Sequence, residues 1–130
     1  MSAPIVDAMK VDVAVVGAGP AGIAAAAMIA ETGRHVAVLD ESVEVGGQIW
    51  RHRRGAPPPA AARPWIRRLE RSGATILRES AVVDVRDDPH AERFAITAER
   101  GLSPLLVNAT TLVLATGARE RFLPFPGWTL

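Results

Sequence analysis

The chain contains no cysteine and no tyrosine, and Lys10 is its single lysine. Without cysteine there is no disulfide, thiolate-bound zinc, cysteine-held iron–sulfur cluster or redox dithiol. Without tyrosine there is no tyrosine–lysine pair of the kind a short NAD-dependent dehydrogenase uses. An excess of charge of one sign is also missing: 15 basic residues stand against 14 acidic ones, a net charge of +1. That balance gives no reason to expect nucleic acid or an anionic membrane as partner. No apolar run is long enough to span a bilayer. The stretch from Val13 to Ala30 is interrupted by three glycines and Pro20, and its front half reads as a strand. The N-terminus, with Asp7 and Asp12, does not read as a signal peptide. The expected compartment is the cytoplasm.

What is present is a globular composition, 48% hydrophobic. A chain of 130 residues holds one domain at most and buries roughly two thirds of its unfolded surface. The most informative stretch is Gly17-Ala18-Gly19-Pro20-Ala21-Gly22. An apolar run, Val11 to Val16, precedes it, and an alanine-rich run, Ile23 to Ala30, follows. This is the strand, tight turn and helix order of a dinucleotide phosphate site. Gly17 permits the turn, Gly19 lets backbone N–H groups approach a pyrophosphate, and Gly22 lets the helix pack close to the strand. Pro20 suits the first helical turn, where its missing N–H is not needed. With Ala21, these residues are the candidate pyrophosphate binders, facing the positive end of the helix dipole.

The helix is expected to run to about Thr32 and to stop at Gly33. Val36 to Leu39 is a second strand, ending at Asp40-Glu41. Asp40 lies at roughly the 20-residue distance from the glycines that the fingerprint expects. Its carboxylate suits the hydroxyls of an adenosine ribose and repels a 2′-phosphate, which disfavours NADP. Glu41 is the neighbouring candidate. The fingerprint reads ADP, which NAD and FAD share, so these residues leave both open.

Further along, the loop Ser42 to Ile49 carries Gly46-Gly47-Gln48. Glycines suit a place where backbone passes near a bulky group, and the Gln48 amide can donate or accept. Arg51 to Arg54 is a basic cluster, read as a solvated loop face. Gly55 to Ala62, with three consecutive prolines, is irregular. Pro64 to Arg71 reads as a helix with Trp65, Ile66 and Leu69 on one side, and Ala74 to Leu77 as a third parallel strand. Ala81–Val85, Arg93–Ala98 and Leu105–Val107 read as a small antiparallel meander, with a turn at Asp87-Asp88-Pro89. Thr111 to Leu114 reads as a separate strand returning to the parallel sheet and ending in Ala115-Thr116-Gly117. Nothing in the sequence marks a metal site or a catalytic side chain, and His35, His52 and His90 have no partner that would make them bases.

Together the glycine turn, Asp40, Gly46 to Arg51 and Ala115-Thr116-Gly117-Ala118-Arg119-Glu120-Arg121 resemble flavoproteins with two dinucleotide-binding domains. They are most similar to the FAD subunits of opine oxidase, hydroxyproline dehydrogenase and hydrogen cyanide synthase type enzymes. Gly-Ala-Arg-Glu-Arg followed by Pro124 to Leu130 shares that pattern. The resemblance implies FAD as cofactor and an α/β fold: a Rossmann-like three-layer domain, a parallel sheet flanked by helices, with a small β-meander. It implies that main-chain groups near Val82 meet the adenine, and that Ala115, Thr116 and Gly117 lie near the flavin nucleotide. It implies oxidation of a C–N bond of an amine or imino acid in full-length relatives, with other subunits as partners. The chain departs from disulfide-reductase relatives, which place a cysteine pair after the glycine pair. It also departs in length: residues 1–130 read as a single, truncated domain, incomplete at the C-terminus. The alternative expectation is a remnant that binds nucleotide and catalyses nothing.

Overall fold

The computed structural model describes residues 7–90, 93–118 and 126. The expectations for residues 1–6 and for the tail from Arg119 onward, Pro126 apart, fall outside these. The elements are β1 (Asp7–Val16), α1 (Pro20–Ala30), β2 (Val36–Leu39), α2 (Arg63–Arg71), β3 (Thr75–Leu77), β4 (Ala81–Asp88), β5 (Arg93–Arg100) and β6 (Ser103–Leu114). One six-stranded sheet joins them in the order β3-β2-β1-β6-β5-β4. β3, β2, β1 and β6 run parallel, and β5 and β4 run antiparallel to their neighbours. The α/β class, the parallel core and the antiparallel appendage are those expected.

Each face of the sheet has its own core. Val13, Val15, Val36 and Val38 point to one face, where Ile23, Ala26, Ala27 and Ala30 of α1 and Ile66 and Leu69 of α2 meet them. The small alanine side chains bring α1 close to the strands. Ala14, Ala37, Leu39 and Leu77 point to the other face and cluster with Ile96, Ala98, Leu105, Val107 and Ala109 of β5 and β6. All four residues of β2 are buried, as a parallel strand covered on both sides requires. Both described helices therefore share one face, and the antiparallel strands supply apolar cover on the other.

α1 and α2 are also clasped at the surface. Arg68 donates from Nε and Nη2 to the two carboxylate oxygens of Glu31, each at 2.7 Å, and its guanidinium lies 5.1 Å from the Trp65 ring centre. The hydrogen bond to Arg68 holds the Glu31 carboxyl below the usual carboxylate range, and the same bond raises Arg68.

Three expected boundaries move. β1 begins at Asp7, ahead of the apolar run, because Asp7 to Val11 pair with Leu105 to Ala109. The segments Leu105–Val107 and Thr111–Leu114 are one continuous strand, β6. The side-chain phase changes along it. Leu105, Val107 and Ala109 face the antiparallel core, yet so does Leu112, while Val113 faces the helices. β1 changes phase at the same level, between Val11 and Val13. The two strands reverse together, so pairing continues across a break in alternation. β4 likewise extends through Asp88, and the turn follows it, with the His90 N–H donating to Asp88 Oδ1 at 2.8 Å.

Candidate functional site

The four parallel strands end at one edge, and the loops leaving β1, β2 and β6 converge there. Gly17 follows β1 with φ +102°, a left-handed conformation that side chains resist. A Cβ on Gly17 would stand 2.3 Å from the Ala115 carbonyl oxygen, and one on Gly22 would stand 1.8 Å from that of Gly17. Both positions are closed by backbone, so glycine is obligatory for packing. Gly19 differs: the nearest atom to a Cβ there is Gly47 Cα at 3.9 Å. Its side is open, as a surface for a ligand must be.

The Gly46-Gly47 pair docks directly on this turn. The Gly46 N–H donates to Ala18 O at 2.7 Å, and a Cβ on Gly47, at φ +59°, would meet Gly19 Cα at 2.8 Å. Trp50 N–H closes the loop onto Gly46 O at 3.0 Å. From the other side, Ala115 N–H donates to Val16 O at 2.8 Å. Three stretches far apart in sequence thus form one junction.

The start of α1 has glycine, which carries no side chain, at its N-cap. Ile23 N–H donates to Gly19 O, the first helical bond, and Pro20 has no N–H. The N–H groups of Ala21 and Gly22 have no intrahelical acceptor, and the N–H of Gly19 precedes the helix. No side chain among the described residues caps this end, and no acidic residue sits in its first turn. This leaves N–H donors, a positive dipole end and an open glycine side for an anion. The pyrophosphate of a dinucleotide fits that donor set.

Asp40 directly follows β2. Its Oδ2 accepts from Ala18 N–H at 2.6 Å, and its Oδ1 from Ser42 N–H at 2.8 Å. Glu41 is exposed and makes no hydrogen bond or ion pair among the described residues. The Asp40-Glu41-Ser42 spacing is that of an Asx turn, a signal the sequence carried. Ala18, not singled out in the sequence, is the hub of the junction, and its neighbours' glycines hid it.

The remaining candidates stand as follows. Val82 is half-buried in the antiparallel core. β4 is last in the strand order, yet its lead-in returns to β2: Ser80 N–H donates to Asp40 O at 2.8 Å and Glu79 N–H to Ser42 O at 3.1 Å. The sheet curls enough to bring Val82 within two residues of the site's edge. Gln48, Thr116 and Gly117 are exposed, and the Gln48 carbonyl faces Arg51 Nη1 at 3.4 Å. A cavity of about 520 Å³ lies elsewhere, between the loop containing His52 and Pro58 and Arg63, Ile66 and Arg67 of α2. None of the sequence candidates lines it. No cluster of three or more metal-binding side chains occurs among the described residues. No helix there is long and apolar enough to cross a membrane.

Residues 11–129 match the family model of the pyridine nucleotide-disulphide oxidoreductases. The chain belongs to that family. Within it, the chain is 37% identical to an opine oxidase subunit of Rhizobium meliloti strain 1021, over 92% of this chain and 27% of the relative. It is 31% identical to the hydrogen cyanide synthase subunit HcnB of Pseudomonas protegens, over 94% of this chain and 28% of the relative. The crystal structure of L-proline dehydrogenase from P. horikoshii superposes with a TM-score of 0.76 at 26% identity, covering 95% of this chain and 26% of that one. The chain spans about a quarter of the length of these proteins. The family likeness carries the FAD reading, and the glycine junction and open helix end fit the ADP half of that cofactor. These 130 residues match the family model and contain no cysteine.

Proposed function

We propose that this chain is the FAD-binding part of a flavin-dependent oxidoreductase that oxidises a C–N bond of an amine or imino acid. The single observation that carries the binding half is the uncapped start of α1 beside the open face of Gly19. Bound FAD supplies the hydride-accepting ring. The residues of this chain bind and orient it. Gly19, Ala21 and Gly22 offer N–H groups to the pyrophosphate. Asp40 at the end of β2, with Glu41 beside it, meets the ribose, since each Asp40 oxygen accepts one main-chain N–H and keeps a lone pair for a hydroxyl. Main chain near Val82 meets the adenine, and Gly46, Gly47, Gln48, Ala115, Thr116 and Gly117 flank the flavin side. The choice of a C–N substrate is supported by the names of relatives, an opine oxidase and a proline dehydrogenase. Two relatives are named as subunits, which supports assembly with other chains. We place the protein in the cytoplasm, which cell fractionation tests.

Purification from a flavin-rich host tests the binding half. A flavin absorbance spectrum near one equivalent per chain is the expected result. No flavin spectrum together with tight NAD binding would overturn it. A second reading, nucleotide binding without catalysis by this chain alone, is favoured by its span of about a quarter of its relatives. Turnover of imino acids by the flavin-loaded chain without partners would contradict that second reading.

A further inference from the structure

Arginine is concentrated in one stretch of the chain. Residues 51–71 hold seven arginines and one acidic residue, Glu70, whereas the remaining residues hold eight basic against thirteen acidic ones. The near-neutral total is thus a basic loop and helix set in an otherwise acidic chain. We propose that the cavity between this loop and α2 binds a small organic anion, a carboxylate or phosphate carried on an apolar body. This site is independent of the nucleotide reading.

The cavity measures about 520 Å³, within the range of small-molecule sites. The chain itself fixes its walls. Arg63 donates from Nε to Pro58 O at 2.9 Å. The N–H groups of Ala62 and Arg63 donate to Pro59 O at 2.9 and 3.2 Å. Proline rings stiffen that loop further. His52 Nδ1 lies 3.0 Å from Trp50 O, a contact in which only the ring can donate. The buried Val45 and Ile66 supply apolar lining.

Three guanidiniums border this space, those of Arg63, Arg67 and Arg78. Their terminal nitrogens make no hydrogen bond among the described residues. Arg63 donates only from Nε. Arg67 makes no hydrogen bond or ion pair there. Arg78 Nε is buried and stands 4.0 Å from Glu44 Oε2, too far for a hydrogen bond. Planar guanidinium forks grip a carboxylate or phosphate through two parallel bonds. Glu44 and Glu70 also line the cavity, so three positive charges meet two negative ones. Arg51, Arg53 and Arg54 on the adjoining loop add to the positive excess and raise the local concentration of anions.

The test uses the full chain and three probes: benzoate, phenyl phosphate and neutral benzyl alcohol. Binding is followed by NMR at the Ile66 methyl and arginine Nε–H signals. We expect at least one anion to bind saturably, the tighter of the two naming the headgroup, and benzyl alcohol to bind at least about tenfold more weakly. Arg67→Gln and Arg78→Gln should each weaken the anion about tenfold. Arg71→Gln removes the same charge from the same helix outside this cavity and should leave affinity within about twofold. Should Arg78→Gln not fold, Arg67→Gln, at an exposed position, carries the measurement. No saturable binding of either anion at millimolar concentration would overturn the proposal. So would equal binding of benzyl alcohol, or an equal loss in Arg71→Gln, which would mark attraction to surface charge. Displacement of the anion by ADP would assign the cavity to the nucleotide site and overturn it too. Failure of ADP to bind at all would count against the nucleotide reading alone.

Discussion

The glycine junction and the antiparallel strands are held together by opposite means. At the junction, backbone meets backbone. Gly17, Gly22 and Gly47 each lie where a single added carbon would come within 3 Å of another main-chain atom, so residue identity is forced. In β4, β5 and the first half of β6, side chains fill a core around Ile96, Ala98 and Val107, and many apolar choices would serve. The first region is the proposed nucleotide site, and the second is a side-chain core. Mutations should separate them.

The largest expected effect is at Gly22. Alanine there puts a carbon 1.8 Å from Gly17 O, and neither backbone can yield without moving α1 off β1. Gly22→Ala should cost more than about 3 kcal/mol and abolish nucleotide binding, as read by thermal melts and titration. A variant that melts like wild type would mean the turn is looser than its packing indicates.

Ile96→Ala comes next. Ile96 is fully buried in the antiparallel core, and truncation should cost roughly 2–5 kcal/mol. Nucleotide affinity, measured well below the melting temperature, should stay within about twofold. Loss of affinity out of proportion would show that the two regions are coupled.

The smallest effect sharpens a third place, the clasp between the helices. The carboxyl of Glu31 is held low in the fold by its hydrogen bond to Arg68. A lowered carboxylate contributes stability above its unfolded pKa and loses it as pH falls through the folded value. Arg68→Ala should therefore lower the melting temperature slightly at neutral pH. The difference from wild type should fade as acid protonates the Glu31 carboxyl and shrink in high salt, because both groups are exposed. A difference that persists in acid would assign the effect to the Trp65 contact instead.

The same contrast explains what was legible in the sequence. The junction was readable because its demands are written in residue type: glycine where no carbon fits, proline at the helix start, an acidic pair at a strand end. Even there, the partners of Asp40 were not visible. A carboxylate at that distance serves a ribose or a neighbouring amide equally well, and only the fold shows which N–H it faces. The antiparallel half was readable in kind but not in extent. Asp7 to Lys10 carry no strand-like alternation, and they become a strand by pairing with β6. Leu105–Val107 and Thr111–Leu114 read as two strands because their alternation breaks between Ala109 and Leu112. That break is shared by β1, and no single-strand pattern can show that two strands reverse together.

Gly19 divides packing from binding most cleanly. Its position is open, with nothing closer than 3.9 Å to an added carbon, and its φ of −76° is one that alanine adopts freely. Gly19→Ala should therefore lower stability by no more than about 1 kcal/mol, while FAD and ADP binding falls by at least roughly a hundredfold, because the added methyl occupies the pyrophosphate's approach. Unchanged affinity in a stable Gly19→Ala chain would contradict the account, for it would place the phosphates somewhere other than the start of α1.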